Sequence, residues 1–138
     1  MREIHSVGIL LVEEEGTFLL QHRDNRADIF YPGKIGLFGG QIDDGETPEC
    51  AVVREIKEEL SINIVNPKLI SILNLIFIEK SIKRRRYFYV YTINQSLARS
   101  IRLQEGQAIL KLKKKDFVEC EKFVPYDLAF IIDYIFGE

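Results

Sequence analysis

The chain has 138 residues, 46% of them hydrophobic and 29% charged, with a formal net charge of −2. This is the size of one globular domain with an apolar core, and the charge balance excludes both the basic excess of a general nucleic-acid binder and the imbalance of a disordered chain. Its two cysteines, Cys50 and Cys120, fit no close metal-ligand spacing and are too few for a secreted disulfide framework, so free thiols in a reducing cytosol are expected. Cys50 is expected to pack inside a helix.

Residues 7–12 form an apolar run that Glu13, Glu14 and Glu15 end, with no small-residue cleavage site behind it. Residues 128–136 are interrupted by Asp133 and fall short of the ~20 residues that a membrane span needs. The expectation is one soluble, cytoplasmic domain over residues 1–138.

In chain order, residues 4–12 are rich in Val, Ile and Leu, and EEEGT then leads to Phe18, Leu19 and Leu20, which predicts a β-hairpin. RDNRADIFYPGKIG, residues 23–36, has loop composition. Thr47 is a good N-cap with Pro48 behind it, predicting a helix over Pro48–Leu60. Residues 69–78 and 87–93 predict a second hairpin, with the charged EKSIKRRR between them as its link. The basic run Lys83, Arg84, Arg85 and Arg86 is expected to be a solvated hairpin tip, with a phosphate or RNA contact as the alternative. Residues 107–112 suit a last strand, KKKDF a short helix, and Pro125–Phe136 an amphipathic helix with Leu128, Ile131, Ile132 and Ile135 on one side. Strands interleaved with helices imply a mixed α/β architecture, a mixed sheet with helices on its faces.

The predicted helix carries REIKEEL. At ~100° per residue, Val52, Val53, Ile56 and Leu60 gather on one side and Glu55, Glu58 and Glu59 on another. Like charges at this spacing weaken an isolated helix by roughly 0.2–0.5 kcal/mol per pair, and an exposed Glu-rich face is common. The spacing leaves open whether the acids are merely solvated or hold a cation. Without His or Cys neighbours, such carboxylates favour a hard cation, Mg²⁺ or Mn²⁺, over zinc.

Upstream context narrows the choice. Gly40, Glu46, Arg54, Glu55, Ile56, Glu58 and Glu59 give the pattern G-x5-E-x7-R-E-U-x-E-E, with U aliphatic, and the stretch GGQIDDGETPECAVVREIKEELSI closely resembles the Nudix box at residues 40–62. The order of predicted elements resembles that family over most of the chain. One departure is Ser61, where the family usually has glycine in the turn leaving the helix. A serine in a left-handed conformation there would carry about 1 kcal/mol of strain.

The resemblance implies an α/β/α sandwich and a pyrophosphohydrolase. It implies that Glu55, Glu58 and Glu59 hold Mg²⁺ or Mn²⁺ with the Gly40 carbonyl, that Arg54 orients a glutamate, and that Glu46 braces the loop against the helix. It adds Glu105, in LQEGQ, as a further carboxylate for metal or water, beside the alternative of a solvated loop acid. Water attack on a phosphorus of a nucleoside diphosphate linked to another moiety is the implied reaction. Nucleoside triphosphates, including oxidised ones, are the rival substrate class. A non-catalytic module binding a nucleotide or RNA is the rival of another kind. Arg23 and Arg26 are candidates for phosphate contacts, and Tyr31 and Phe38 for stacking on a base, with core packing as the alternative for Phe38. Small nucleotides rather than nucleic acids are the expected partners, and an exposed apolar strand would suit a homodimer.

Overall fold

The computed structural model describes residues 1–26, 28–104, 108–118 and 120–137. Among these residues seven strands, β1 (Arg2–Glu13), β2 (Phe18–His22), β3 (Ile35–Gly36), β4 (Phe38–Gln41), β5 (Lys68–Phe77), β6 (Ile82–Ile93) and β7 (Ile109–Leu112), form one mixed sheet. The α-helices α1 (Pro48–Leu60), α2 (Gln95–Arg99) and α3 (Pro125–Phe136) accompany it, with a short 3₁₀ turn at Lys114–Asp116.

β1 is the centre of the sheet. One edge pairs in parallel with β6 along its whole length, from Arg2↔Ile82 to Glu13↔Ile93. The other edge is shared end to end: β4 runs antiparallel along Ser6 to Ile9, and β2 along Leu11 and Val12. A strand covered on both faces needs both of its alternating sets to be apolar. Val7, Ile9 and Leu11 accordingly pack with Val52, Ile56 and Leu60 of α1, while Leu10 joins Phe88, Val90, Leu128, Phe130 and Ile131 beneath α3. The rings of Phe88 and Phe130 stack at 4.5 Å. The layers are therefore helix, sheet and helix.

Both long helices form over the predicted residues. Thr47 Oγ1 accepts from the Cys50 N–H at 3.2 Å, so the start of α1 is capped. The helix ends at Ser61, which has φ 59° and ψ 29° and donates its N–H to the Lys57 carbonyl. This is the left-handed turn expected there, occupied by a residue with a Cβ.

Several expectations need correction. The stretch predicted as a loop and its continuation contain β3 and β4, strands too short to show a period. α2 was not foreseen; Asn94 caps it by accepting from the Leu97 N–H at 2.8 Å. Cys50 is exposed rather than packed. The largest correction concerns the basic run: β6 begins at Ile82, so Lys83 to Arg86 lie inside a strand and alternate across it. Arg84 and Arg86 face the sheet interior at 8% and 4% exposure. Partners near the α3 side make that burial tolerable. Among the described residues no helix is long and apolar enough to cross a membrane.

Candidate active site

The cap at Thr47 fixes the phase of α1, which turns Arg54 back toward the loop that precedes the helix. Its Nε donates to Glu46 Oε2 at 2.7 Å and its Nη2 to Glu46 Oε1 at 2.9 Å, a bidentate pair. Nη2 also reaches the Gln41 carbonyl at 3.1 Å, and Nη1 reaches Glu55 Oε1 at 3.0 Å and Glu58 Oε2 at 3.2 Å. Glu46 in turn accepts the Asp43 N–H at 3.0 Å, closing the loop onto the helix. The guanidinium holds the Glu46 carboxyl down to about 2, and the carboxylates raise the pKa of Arg54. Arg54 is thus the hub of the loop and helix, more than a partner for one acid.

Glycines let the acids come close. A β-carbon on Gly40 would lie 2.5 Å from Glu55 Oε1, and Gly39 has φ +149°, where a side chain would run into the Val7 carbonyl. With neither side chain present, Glu55 and Glu59 lie against the backbone of β4. Burial, reinforced by the Glu55 charge, pushes the Glu59 carboxyl up to about 9, against a Gly39 backbone hydrogen bond and Arg23, which act downward. Burial also raises Glu55, opposed chiefly by Arg54. Glu59 Oε2 is buried without a hydrogen-bond partner among the described residues.

Two crowded carboxyls, an orphaned oxygen and only oxygen donors fit a hard divalent cation, whose charge would relieve the crowding. Among the described residues, no cluster of three or more His, Cys, Asp or Glu side chains is disposed to hold a metal ion. The structure brings together Glu55 and Glu59, while Glu58 stands 58% exposed and turned to Arg54. Glu105 lies outside the described residues.

The remaining candidates separate. Arg23 donates to the Phe30 carbonyl at 2.9 Å and lies near enough to Glu59 to feel its charge. It lines a cleft of ≈ 480 Å³ that also takes in Gly39, Gly40 and Gln41, next to the acid pair. Arg26 is exposed and paired with Asp28 at 2.7 Å. Tyr31 packs its ring 5.5 Å from that of Tyr126 and lines a different cavity beside α3, with Phe123 and Leu128. Phe38 is fully buried in the core beneath α1, so core packing is the reading that the structure supports for it.

The far wall of the cleft is built from the basic run that the sequence places at a hairpin tip. Arg84 and Arg86 line it, with Ser6 and Tyr126 behind Arg84 and Asp127 behind Arg86. Arg86 pairs with Asp127 at 3.0 Å, both side chains 4% exposed, and Asp127 also accepts the Leu37 N–H at 3.0 Å. A signal was present: the period-two alternation of YFYVYTI runs back through KRRR, and Asp127 adjoins Leu128 on the apolar side of α3.

Comparisons with known proteins bear on this site. A family model described as NUDIX domain matches residues 3–135. The 8-oxo-dGTP diphosphatase of Escherichia coli (strain K12) is 42% identical over 57 residues, a match spanning 41% of this chain and 42% of the relative. A solved MutT protein from Methanosarcina mazei Go1 superposes with a TM-score of 0.79 at 22% identity, over 96% of this chain and 93% of that one. A MutT NUDIX hydrolase from Burkholderia pseudomallei gives 0.78 at 22% identity, over 98% and 99%. At these identities the solved structures speak for the fold, which matches the helix, sheet and helix layers described above.

Proposed function

Because the chain belongs to the NUDIX domain family, we propose that it hydrolyses a pyrophosphate bond in a nucleoside diphosphate linked to another moiety, with Mg²⁺ or Mn²⁺ as the cofactor. The observation that carries this reading is the acid edge of α1: Glu55 and Glu59 crowded against side-chain-free backbone, with one carboxylate oxygen left unpartnered among the described residues.

Glu55, Glu58, Glu59 and the Gly40 carbonyl would hold the cation, with Glu105 as a further carboxylate for metal or water. When bound, the cation neutralises charge developing on the phosphoryl oxygens and lowers the pKa of the attacking water. Arg54 fixes the directions of Glu55 and Glu58 through Nη1. Glu59, whose carboxyl stays protonated to about 9 in the free protein, must lose that proton to become a ligand. Arg23 stands between the acids and the cleft, where it can orient a phosphate of the substrate.

A second reading, a nucleoside triphosphate as substrate, is favoured by the partial match to the 8-oxo-dGTP diphosphatase. A panel of nucleoside triphosphates, 8-oxo-dGTP, nucleotide sugars and dinucleotides, assayed for phosphate and nucleotide release, separates the two. The expected result is turnover that needs added Mg²⁺ or Mn²⁺ and is lost, together with Mg²⁺ binding, in Glu58→Gln. Turnover of no panel member would overturn the assignment in favour of a binding module.

A further inference from the structure

The far wall of the cleft holds a charge that the reaction at the acid edge does not use. Arg84 is 8% exposed, and a guanidinium so far from water normally has a carboxylate beside it. Arg86, two residues on along the same face of β6, follows that rule with Asp127. Arg84 does not: its Nε donates to Ser6 Oγ at 3.0 Å and its Nη1 to Tyr126 Oη at 2.6 Å, both neutral hydroxyls. The rings of Phe30 and Tyr126 lie 4.7 and 5.6 Å from it. No carboxylate among the described residues forms an ion pair with it.

The surroundings make the imbalance larger. Burial and the neighbouring Arg86 together lower the Arg84 pKa to about 10. Arg2, Arg23 and Lys80 line the same cleft, while Asp28, its one carboxylate among the described residues, is engaged by Arg26, and Asp127, behind the wall, is engaged by Arg86. The volume of ≈ 480 Å³ suits part of a small-molecule ligand, and the cleft runs from Arg84 to the Gly39 and Gly40 backbone beside the acids. Ser6 and Tyr126 fix the guanidinium plane. A neutral group entering here would leave that charge uncompensated, whereas a phosphoryl group matches the fork of the guanidinium and the several cationic directions around it.

We propose that Arg84 is the centre of an anion subsite that binds a phosphoryl group carried by the substrate beyond its scissile pyrophosphate, which rests on the reading of the cleft as the substrate site and narrows that substrate to a phosphorylated class. A guanidinium kept for packing alone would stabilise the free protein. One kept for a ligand would not.

The test uses the full chain without added metal, titrated with inorganic phosphate while the arginine Nε–Hε resonances are followed by NMR. The expected result is saturable binding that shifts the Arg84 signal, weakens at least tenfold in Arg84→Met, and is unchanged in Lys115→Gln, which removes an exposed cation outside the cleft. Arg84→Met should also melt at or above the wild-type temperature in phosphate-free buffer. Should that variant melt far lower, Arg84→Lys, which keeps the charge and loses the fork, takes its place with the same tenfold expectation. Absence of saturable phosphate binding, or equal binding by the Arg84 variant, overturns the subsite. Because this readout needs no turnover, an inactive substrate panel with Arg84-dependent phosphate binding would sink the proposed activity and leave the subsite standing.

Discussion

The acid edge of α1 and the basic wall of β6 solve the same problem in opposite directions. At the edge, one guanidinium, Arg54, serves Glu46, Glu55 and Glu58, and Glu59 remains with an oxygen unpartnered. At the wall, one carboxylate, Asp127, serves Arg86, and among the described residues Arg84 remains with hydroxyls and rings. The edge is short of positive charge and the wall short of negative charge. Charge that is buried and incompletely compensated is costly for a fold to keep, and its presence in both places, along one cleft, is what supports the proposed cation at one end and the proposed phosphoryl group at the other.

The largest expected effect comes from removing the acid whose Oε2 is buried without a partner among the described residues. Glu59→Gln should lower turnover of the preferred panel substrate roughly a thousandfold, about 4 kcal/mol of transition-state stabilisation. It also carries a pH signature. The Glu59 carboxyl is raised from 4.5 to about 9, so its bound proton stabilises the free fold fully below pH 4.5, and that stabilisation is lost as pH rises through 9. A cation held by Glu59, as proposed, would have to displace the proton, so Mn²⁺ affinity measured by calorimetry should climb from pH 6 to pH 9 in the wild type and flatten in Glu59→Gln. Equal slopes in the two proteins would remove Glu59 from the ligand set. Glu46, held down to about 2, runs the other way: its stabilisation is present above pH 4.5 and lost as pH falls toward 2.

Next in size is the compensated half of the wall. Asp127→Ala would leave Arg86 buried with no carboxylate, and should cost about 3–5 kcal/mol of unfolding free energy in urea. Arg86→Met combined with Asp127→Leu should recover part of that loss. A double variant no better than Asp127→Ala would show that the stranded charge is not the source of the cost.

The smallest effect lies at the exit of α1. Ser61→Gly relieves a left-handed residue at φ 59° and gives up the hydrogen bond that Gln104 Nε2 donates to Ser61 Oγ at 2.9 Å. The net gain should be about 0.5–1 kcal/mol by thermal or urea unfolding, with turnover little changed. A loss of stability would show that the bond to Gln104 outweighs the backbone strain.

How much of this was legible in the sequence depended on whether a contact is local. The course of α1, its Thr47 cap and its left-handed exit follow from neighbouring residues, and so does the pairing of Arg54 with Glu58 at i+4. The division of the three helix acids was not legible, because Glu59 is turned inward by the approach of β4, a strand of four residues without a period of its own. The basic run was misplaced for a related reason. Alternation shows that Arg84 and Arg86 share a face, but only the packing of α3 shows that the face is covered and that Asp127 waits on it. Tyr31 is held at φ 49° in a segment whose composition indicates a turn without fixing where its ring goes.

The position of Asp127 also orders the assembly of the protein. The carboxylate that receives the Leu37 N–H lies 90 residues further along the chain, and 41 residues beyond Arg86. Contacts of such separation require long loops to close before they can form. The hairpins and α1 can form from local contacts, but Arg86 has no counter-ion until α3 docks. The docking of α3 is therefore the step that seals the basic wall.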